Sequence, residues 1–165
     1  MNQTTIEKDL AGKKLVVTRQ FDAPLEQVWK AWTEQDLLDQ WWAPRPWKAV
    51  TKTMEFSEGG FWLYAMEGPD GSRAWCRVDF LQITPLKSFT VKNAFCDEDG
   101  NTTDNFPTMH WVNVFTPENG QTKVEVSITF TSEADLERIV EMGFKEGFTA
   151  AHGNLDELLQ KMLVV

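Results

Sequence analysis

Histidine, cysteine and tyrosine are scarce in this 165-residue chain, which has two, two and one of them. A structural zinc site needs three or four converging His, Cys or carboxylate ligands, and two histidines with two dispersed cysteines, Cys76 and Cys96, argue against one. No metal and no other cofactor is expected. A Ser, Cys or Thr nucleophile would need a positioned base, and no nucleophile-elbow motif is present. Positive charge is also in deficit: 16 Lys plus Arg against 25 Asp plus Glu leave a net −9, which repels nucleic acid and anionic membrane surfaces. No apolar run approaches the roughly 20 residues that span a bilayer. Met1 to Glu7 lack the basic-then-apolar order of a secretory signal. These absences predict a soluble cytoplasmic protein without nucleic-acid or membrane partners, its cysteines reduced and structural.

What the chain has in abundance is aromatic surface. Seven of its eight tryptophans fall between Trp29 and Trp75, in a tract that carries Asp22-Ala23-Pro24, Trp41-Trp42-Ala43-Pro44, Gly59-Gly60-Phe61-Trp62 and Gly68-Pro69-Asp70-Gly71. So much rigid ring surface implies either a heavily aromatic core or a cavity walled by rings.

Residues Leu15 to Phe21 alternate as a strand, and Pro24 sits where a helix can begin. Val28, Trp29 and Trp32 recur at helical spacing; Thr33 is the expected cap of a second short helix through Leu37, Leu38 and Trp41, stopped by Pro44 and Pro46. From Trp47 to Phe130 the pattern becomes strands separated by turn residues, six in number, with Trp62, Tyr64 and Met66 on one face and Val124, Val126, Ile128 and Phe130 likewise. Short loops argue for antiparallel neighbours. After Thr131-Ser132, with Glu133 and Asp135 in the first turn, one long helix is expected to about Leu163. Phe144, Phe148, Ala151, Leu155, Leu158 and Met162 form its inward stripe. Gly143 and Gly147 lie beside it at about 1 kcal/mol each relative to Ala, a penalty explained by close packing, by a bend, or by volume left for a ligand. Residues 1–10 are expected to be flexible, and residues 11–165 to form one domain.

Two stretches imitate known sites. Asp97-Glu98-Asp99-Gly100-Asn101 has Gly in the fourth rather than sixth place of a calcium loop and Thr108 where the closing Glu belongs, so it reads as a hairpin turn. Gly59-Gly60 precedes a strand rather than a helix and lacks the N–H groups that cradle phosphate.

Taken in order, Arg19-Gln20-Phe21-Asp22-Ala23-Pro24 with Val28-Trp29, Leu38 with Trp41-Trp42-Ala43-Pro44, Gly59-Gly60, Gly68-Pro69-Asp70-Gly71, Ile83-Thr84-Pro85, Phe115-Thr116-Pro117, and Gly147-Phe148 with Leu155-Leu158-Leu159 carry a resemblance. The chain resembles the SRPBCC superfamily, also called START-like or birch-pollen-allergen-like, and within it the homologues of the activator of the ninety-kilodalton heat-shock-protein ATPase. Ala43 and Phe148 stand where many relatives carry Gly and Trp. The resemblance implies an α+β helix-grip fold: a curved antiparallel sheet of about seven strands wrapped around a long C-terminal helix, with a cavity between them. Superfamily members bind lipids, sterols or polyketides, some cyclise or hydrolyse small molecules, and a few act on partner proteins; fold alone does not choose.

Within such a cavity the candidate ligand-binding residues are Trp41, Trp42, Trp62, Tyr64, Met66, Val78, Phe144 and Phe148, with His110 and His152 able to orient a polar group. Each aromatic is equally compatible with ordinary core, and each histidine with a hydrogen-bonded place at the core edge or with general-base work. No catalytic residue is assigned. The leading expectation is binding of a small hydrophobic or aromatic molecule. The alternatives are a protein-interaction module for a chaperone or another cytoplasmic protein, with an exposed patch around Trp42 and Trp47, and a hydrolase or cyclase using a cavity histidine. Family habit suggests a monomer or weak homodimer.

Overall fold

Alternation of buried and exposed side chains builds the sheet strand by strand. Strand β2, Lys14–Phe21, buries Leu15, Val17, Arg19 and Phe21 and turns the residues between them outward. Pro24, its φ preset at −68°, then opens helix α1, Leu25–Thr33. Helix α2, Gln35–Trp41, follows directly. Thr33 does not cap α2 as its position suggested. It closes α1 instead, its hydroxyl donating to the Trp29 carbonyl at 2.8 Å, while Glu34 takes the N-cap place.

The remaining strands are β3 (Lys48–Met54), β4 (Phe61–Glu67), β5 (Arg73–Thr84), β6 (Ser88–Cys96), β7 (Met109–Glu118) and β8 (Gln121–Phe130). The computed structural model describes residues 3–102 and 106–164. Its sheet is wholly antiparallel, with β1 (Thr5–Asp9) outside β2, then β8, β7, β6, β5, β4 and β3 at the far edge. Among the described residues there are eight strands rather than about seven. The extra one is β1, which pairs residue for residue with β2 from Thr5↔Thr18 to Asp9↔Lys14, within the stretch expected to be flexible. Met1 and Asn2, the rest of that expectation's outer end, lie outside the described residues. Asp97 organises the acidic turn, its carboxylate accepting from the backbone N–H of Asp99 and Asn101 at 2.9 Å each.

The C-terminal segment is two helices, not one. Helix α3, Glu133–Glu141, starts at Ser132, whose hydroxyl accepts from Asp135 N–H at 3.1 Å. Helix α4 runs Phe144–Val164. Between them Gly143 adopts φ +94°, a left-handed conformation that ends a helix and that side-chain-bearing residues adopt only with strain. Its N–H reaches back to Val140 O at 3.1 Å, and Gly147 N–H then bonds Gly143 O at 2.9 Å to begin α4.

Helix α4 presents Phe148, Ala151, His152, Leu155, Leu158 and Leu159 to the concave face of the sheet, with Phe144 and Met162 packed at its two ends. Asn154 ties it to α2, its amide donating to Ala43 O at 3.1 Å and Trp41 O at 3.5 Å. The result is an α+β helix-grip fold in which the sheet wraps the last helix.

The two glycines beside this stripe therefore differ, and so does the expected effect of replacing them. A Cβ at Gly147 would meet only Pro44 Cγ at 3.7 Å, ordinary contact, in regular helix. Gly147→Ala is expected to raise stability by up to about 1 kcal/mol through helix propensity. Gly143→Ala, at positive φ, is expected to lower it by about 1–2 kcal/mol. Urea midpoints of the two variants at constant m-value check the opposite signs.

Candidate functional site

Because α3 and α4 meet at a bend, they leave the concave face incompletely filled. A cavity of ≈ 250 Å³ lies there. Its floor is the inner side of β4 to β7, including Tyr64, Met66, Cys76, Val78, Asn93, Phe95, Met109 and Trp111. Its roof is Ile139, Met142, Gly143, Phe144, Gly147 and Phe148, and Trp42 and Pro44 close one side. Met142, 50% exposed, stands at the rim. Gly143 and Gly147 both border this volume and contribute no side chain to it, and Gly143 also makes the bend.

The wall is stiffened by ring contacts and a few hydrogen bonds. Trp42 Nε1–H donates to the Tyr64 hydroxyl at 2.8 Å, and Trp62 stacks on Tyr64 with centroids 4.0 Å apart. Trp62 Nε1–H donates to Thr51 Oγ1 at 2.9 Å, and the Thr51 hydroxyl donates to Asp39 Oδ1 at 2.6 Å, linking β4, β3 and α2. Burial raises the Asp39 carboxyl above its ordinary range, opposed by the Thr51 bonds. Phe148 packs against Trp111 at 5.4 Å, Trp42 at 5.9 Å and Phe144 at 5.3 Å.

Two titratable groups on this wall, Tyr64 and Cys76, are held uncharged. Burial drives the Tyr64 phenol well above its ordinary value. Burial likewise pushes the Cys76 thiol up to about 12, against the opposing effect of its hydrogen bond with Tyr64. Cys76 and Cys96 are both free thiols, the latter pushed up to about 11. Arg77, also on the lining, keeps its guanidinium on Asp79 at 3.0 Å and on Gly100 O at 3.3 Å, over the Phe61 ring. Among the described residues no group of three His, Cys, Asp or Glu converges to hold a metal.

Of the ten residues singled out from the sequence, Trp42, Tyr64, Met66, Val78, Phe144 and Phe148 line the cavity. Four do not. Trp41 is fully buried core, its Nε1–H on Ala31 O at 2.8 Å and its ring 4.9 Å from Trp32. Trp62 lies behind Tyr64. His110 faces outward because β7 buries Met109, Trp111, Asn113 and Phe115, which leaves His110 on the other parity, in a surface depression with Lys92 and Thr129. His152 is 1% exposed and sits in the core, between Phe148 (4.3 Å), Phe21 (5.6 Å) and Trp32 (6.2 Å). Its Nδ1 meets the Thr4 hydroxyl at 2.8 Å, which also accepts from Arg19 at 3.1 Å; Arg19 pairs in turn with Asp156.

Trp111, Asn93, Met109 and Phe95 were missed, although strand parity carries the signal for all four: the alternation that expels His110 brings Trp111 in. The two residues of the expected interaction patch part company. Trp42 is a cavity wall bonded to Tyr64, and Trp47 is 37% exposed.

Similarity to known proteins follows the same architecture. The family model described as Activator of Hsp90 ATPase homolog 1-like protein matches residues 22–160. A solution structure of a protein from Arthrobacter aurescens is 30% identical, with TM-score 0.90 over 95% of this chain and 91% of that one. A crystal structure of a protein from Mycobacterium smegmatis is 29% identical, with TM-score 0.87 over 94% and 96%. The AHSA1 protein of Silicibacter pomeroyi, 19% identical with TM-score 0.71 over 90% and 99%, shares the fold. No curated protein matches the sequence. No described helix is long and apolar enough to cross a membrane.

The buried histidine has a measurable consequence. Burial first, and the nearby Arg19 charge second, lower His152 from 6.5 to about 3, so the folded state binds it neutral. Between those values the unfolded chain binds the extra proton, and stability falls as pH drops from 6.5 toward 3. The expected loss is up to roughly 1.4 kcal/mol per pH unit from this group. Urea unfolding across that window should show this slope in the native protein and a shallower one in His152→Gln.

Proposed function

The chain belongs to the Activator of Hsp90 ATPase homolog 1-like family of the SRPBCC superfamily, and from that premise we propose that it binds a small hydrophobic or aromatic molecule between the sheet and the C-terminal helices. The observation that carries this reading is the cavity itself, ≈ 250 Å³ walled by Trp42, Tyr64, Trp111, Phe144 and Phe148. Its size lies between a cavity of about 150 Å³ that takes benzene and the roughly 300–1,000 Å³ of sites for drug-sized ligands. That range suits one or two fused rings. Ring edges and faces supply contact, and the neutral Tyr64 and Asn93 supply orientation.

Binding rather than turnover is proposed because neither histidine reaches the lining and Cys76 is held as a thiol, so the wall offers no base or nucleophile poised near neutral pH. The setting proposed is the cytoplasm, where both cysteines stay reduced.

Native mass spectrometry of the freshly purified protein, followed by melting and tryptophan-emission titrations with fused-ring compounds, tests the proposal. A ligand at one hundred times its Kd adds about 2.7 kcal/mol to stability. Gly147→Leu, which projects a side chain into the cavity, is expected to abolish the melting shift with the far-ultraviolet spectrum unchanged, whereas His110→Ala on the outer face is expected to retain it. No adduct, no shift across the panel and no difference between these variants would sink the reading.

A further inference from the structure

Behind the large cavity lies a second, smaller chamber of ≈ 20 Å³, and the two share Trp42, Val78, Asn93 and Trp111 as walls. The chamber's own lining adds Trp32, Leu38, Trp62, Asn113 and further apolar side chains of the sheet, and no ionisable group. Four of its lining residues carry a buried polar atom with no hydrogen-bond partner in the protein: Trp32 Nε1, Trp111 Nε1, Asn93 Oδ1 and Asn113 Oδ1. All four residues are more than nine-tenths buried, at 3%, 4%, 8% and 1% exposure. Leaving such an atom unpaired is costly, so four of them on residues that line one small space call for a common partner.

The chemistry of that partner follows from the atoms. Two indole N–H groups donate and two amide oxygens accept. The Asn113 orientation is set by its other end, where Nδ2 donates to Phe89 O at 3.2 Å, a contact its oxygen could not make. One oxygen atom bearing both lone pairs and a proton satisfies both kinds of group. The chamber holds about one such atom, since a water-sized group needs roughly 10–15 Å³ on this measure. A carboxylate has no proton for the asparagines, an ammonium has no lone pair for the indoles, and either would bury a charge with no counter-ion.

We propose that this chamber is a hydroxyl subsite, which receives the hydroxyl of a phenol or alcohol whose hydrocarbon body lies in the large cavity. The inference rests on the binding reading above and narrows its ligand to neutral hydroxylated compounds. A ligand hydroxyl accepts from both indoles and donates to one asparagine oxygen, whereas a water molecule, with two protons, donates to both; the test separates the two sources.

The probes are naphthalene, naphthol and naphthoate, titrated by calorimetry into the native protein, Asn113→Leu and Trp32→Phe. Both substituted residues line the small chamber and not the large cavity. The native protein is expected to prefer naphthol over naphthalene by about tenfold, equivalent to about 1.4 kcal/mol, and to bind naphthoate more weakly than naphthalene. Each variant is expected to lose most of the naphthol preference while holding naphthalene within about twofold. Trp32→Phe, which keeps an aromatic ring, guards against misfolding of the asparagine variant. A crystal structure with naphthol should place its oxygen in the chamber. Equal affinity for naphthol and naphthalene, a preference that survives both substitutions, or a water retained in the chamber beside bound naphthol would overturn the hydroxyl subsite while leaving apolar binding intact. Failure of naphthalene itself to bind would instead overturn the binding reading on which the subsite rests.

Discussion

Trp32, Trp41 and Trp42 form the joint on which the two small helices, the sheet and the last helix depend. Trp41 sits between the other two, 4.9 Å from Trp32 and 5.2 Å from Trp42, with its N–H spent on the Ala31 carbonyl. Its burial locks α1 against α2. Asn154 then holds the carbonyls of Trp41 and Ala43 from α4, so the end of α2 cannot move without the last helix. Trp42, the next residue in the chain, is thereby aimed at the cavity, where its N–H meets Tyr64. Core and site are adjacent residues of one turn, and the site has its geometry because the core residue beside it does not move.

This adjacency also explains how much of the protein was legible in its sequence. The succession of strands along the chain, the two short helices, the helix start after Thr131-Ser132 and the inward parity of β4 and β8 follow from local patterns that packing does not override. The edge strand β1 was hidden because Thr-Ile-Glu-Lys-Asp has no apolar alternation; its strand character comes from pairing with β2, a non-local fact. A bend was among the readings of Gly143, but its division of the segment into two helices was hidden because glycine tolerates both helix and left-handed backbone, and the flanking periodicity continues across it. His110 illustrates the opposite case. Its orientation was readable from β7, where Trp111 and Phe115 demand the inward face, and attention to histidine as a chemical group obscured the parity that excludes it. For Trp41 and Trp42, pattern shows two rings and only the fold shows which one is core.

Electrostatically the interior is held neutral, and by one cause. Burial lifts Tyr64 and Cys76 out of the range where they ionise and lowers His152 out of the range where it protonates. The charge that is buried, Arg19, is matched by Asp156 and by the Thr4 hydroxyl at the opposite end of α4 from the bend. Around the ring-lined part of the cavity the only lining charge is Arg77, which is already paired with Asp79, so a buried charge on a proposed ligand would find no free partner there.

The unpaired polar atoms of the small chamber give the arrangement its direction. In a cavity lined only by hydrocarbon a ring system has no preferred end, because dispersion contacts are nearly isotropic. The side walls Asn93 and Trp111 belong to both spaces, so a molecule against them has one end facing the bend, with Gly143 and Gly147, and the other facing the small chamber. Volume at the bend comes from missing side chains, and polarity at the chamber comes from two asparagines that β6 and β7 turn inward beside the tryptophans. Inward asparagines on a buried sheet face lower stability unless something pairs with their oxygens. Their place beside an apolar cavity, with Asn93 lining both spaces, makes the cost of solitude and the proposed specificity of binding two expressions of the same hydrogen bonds.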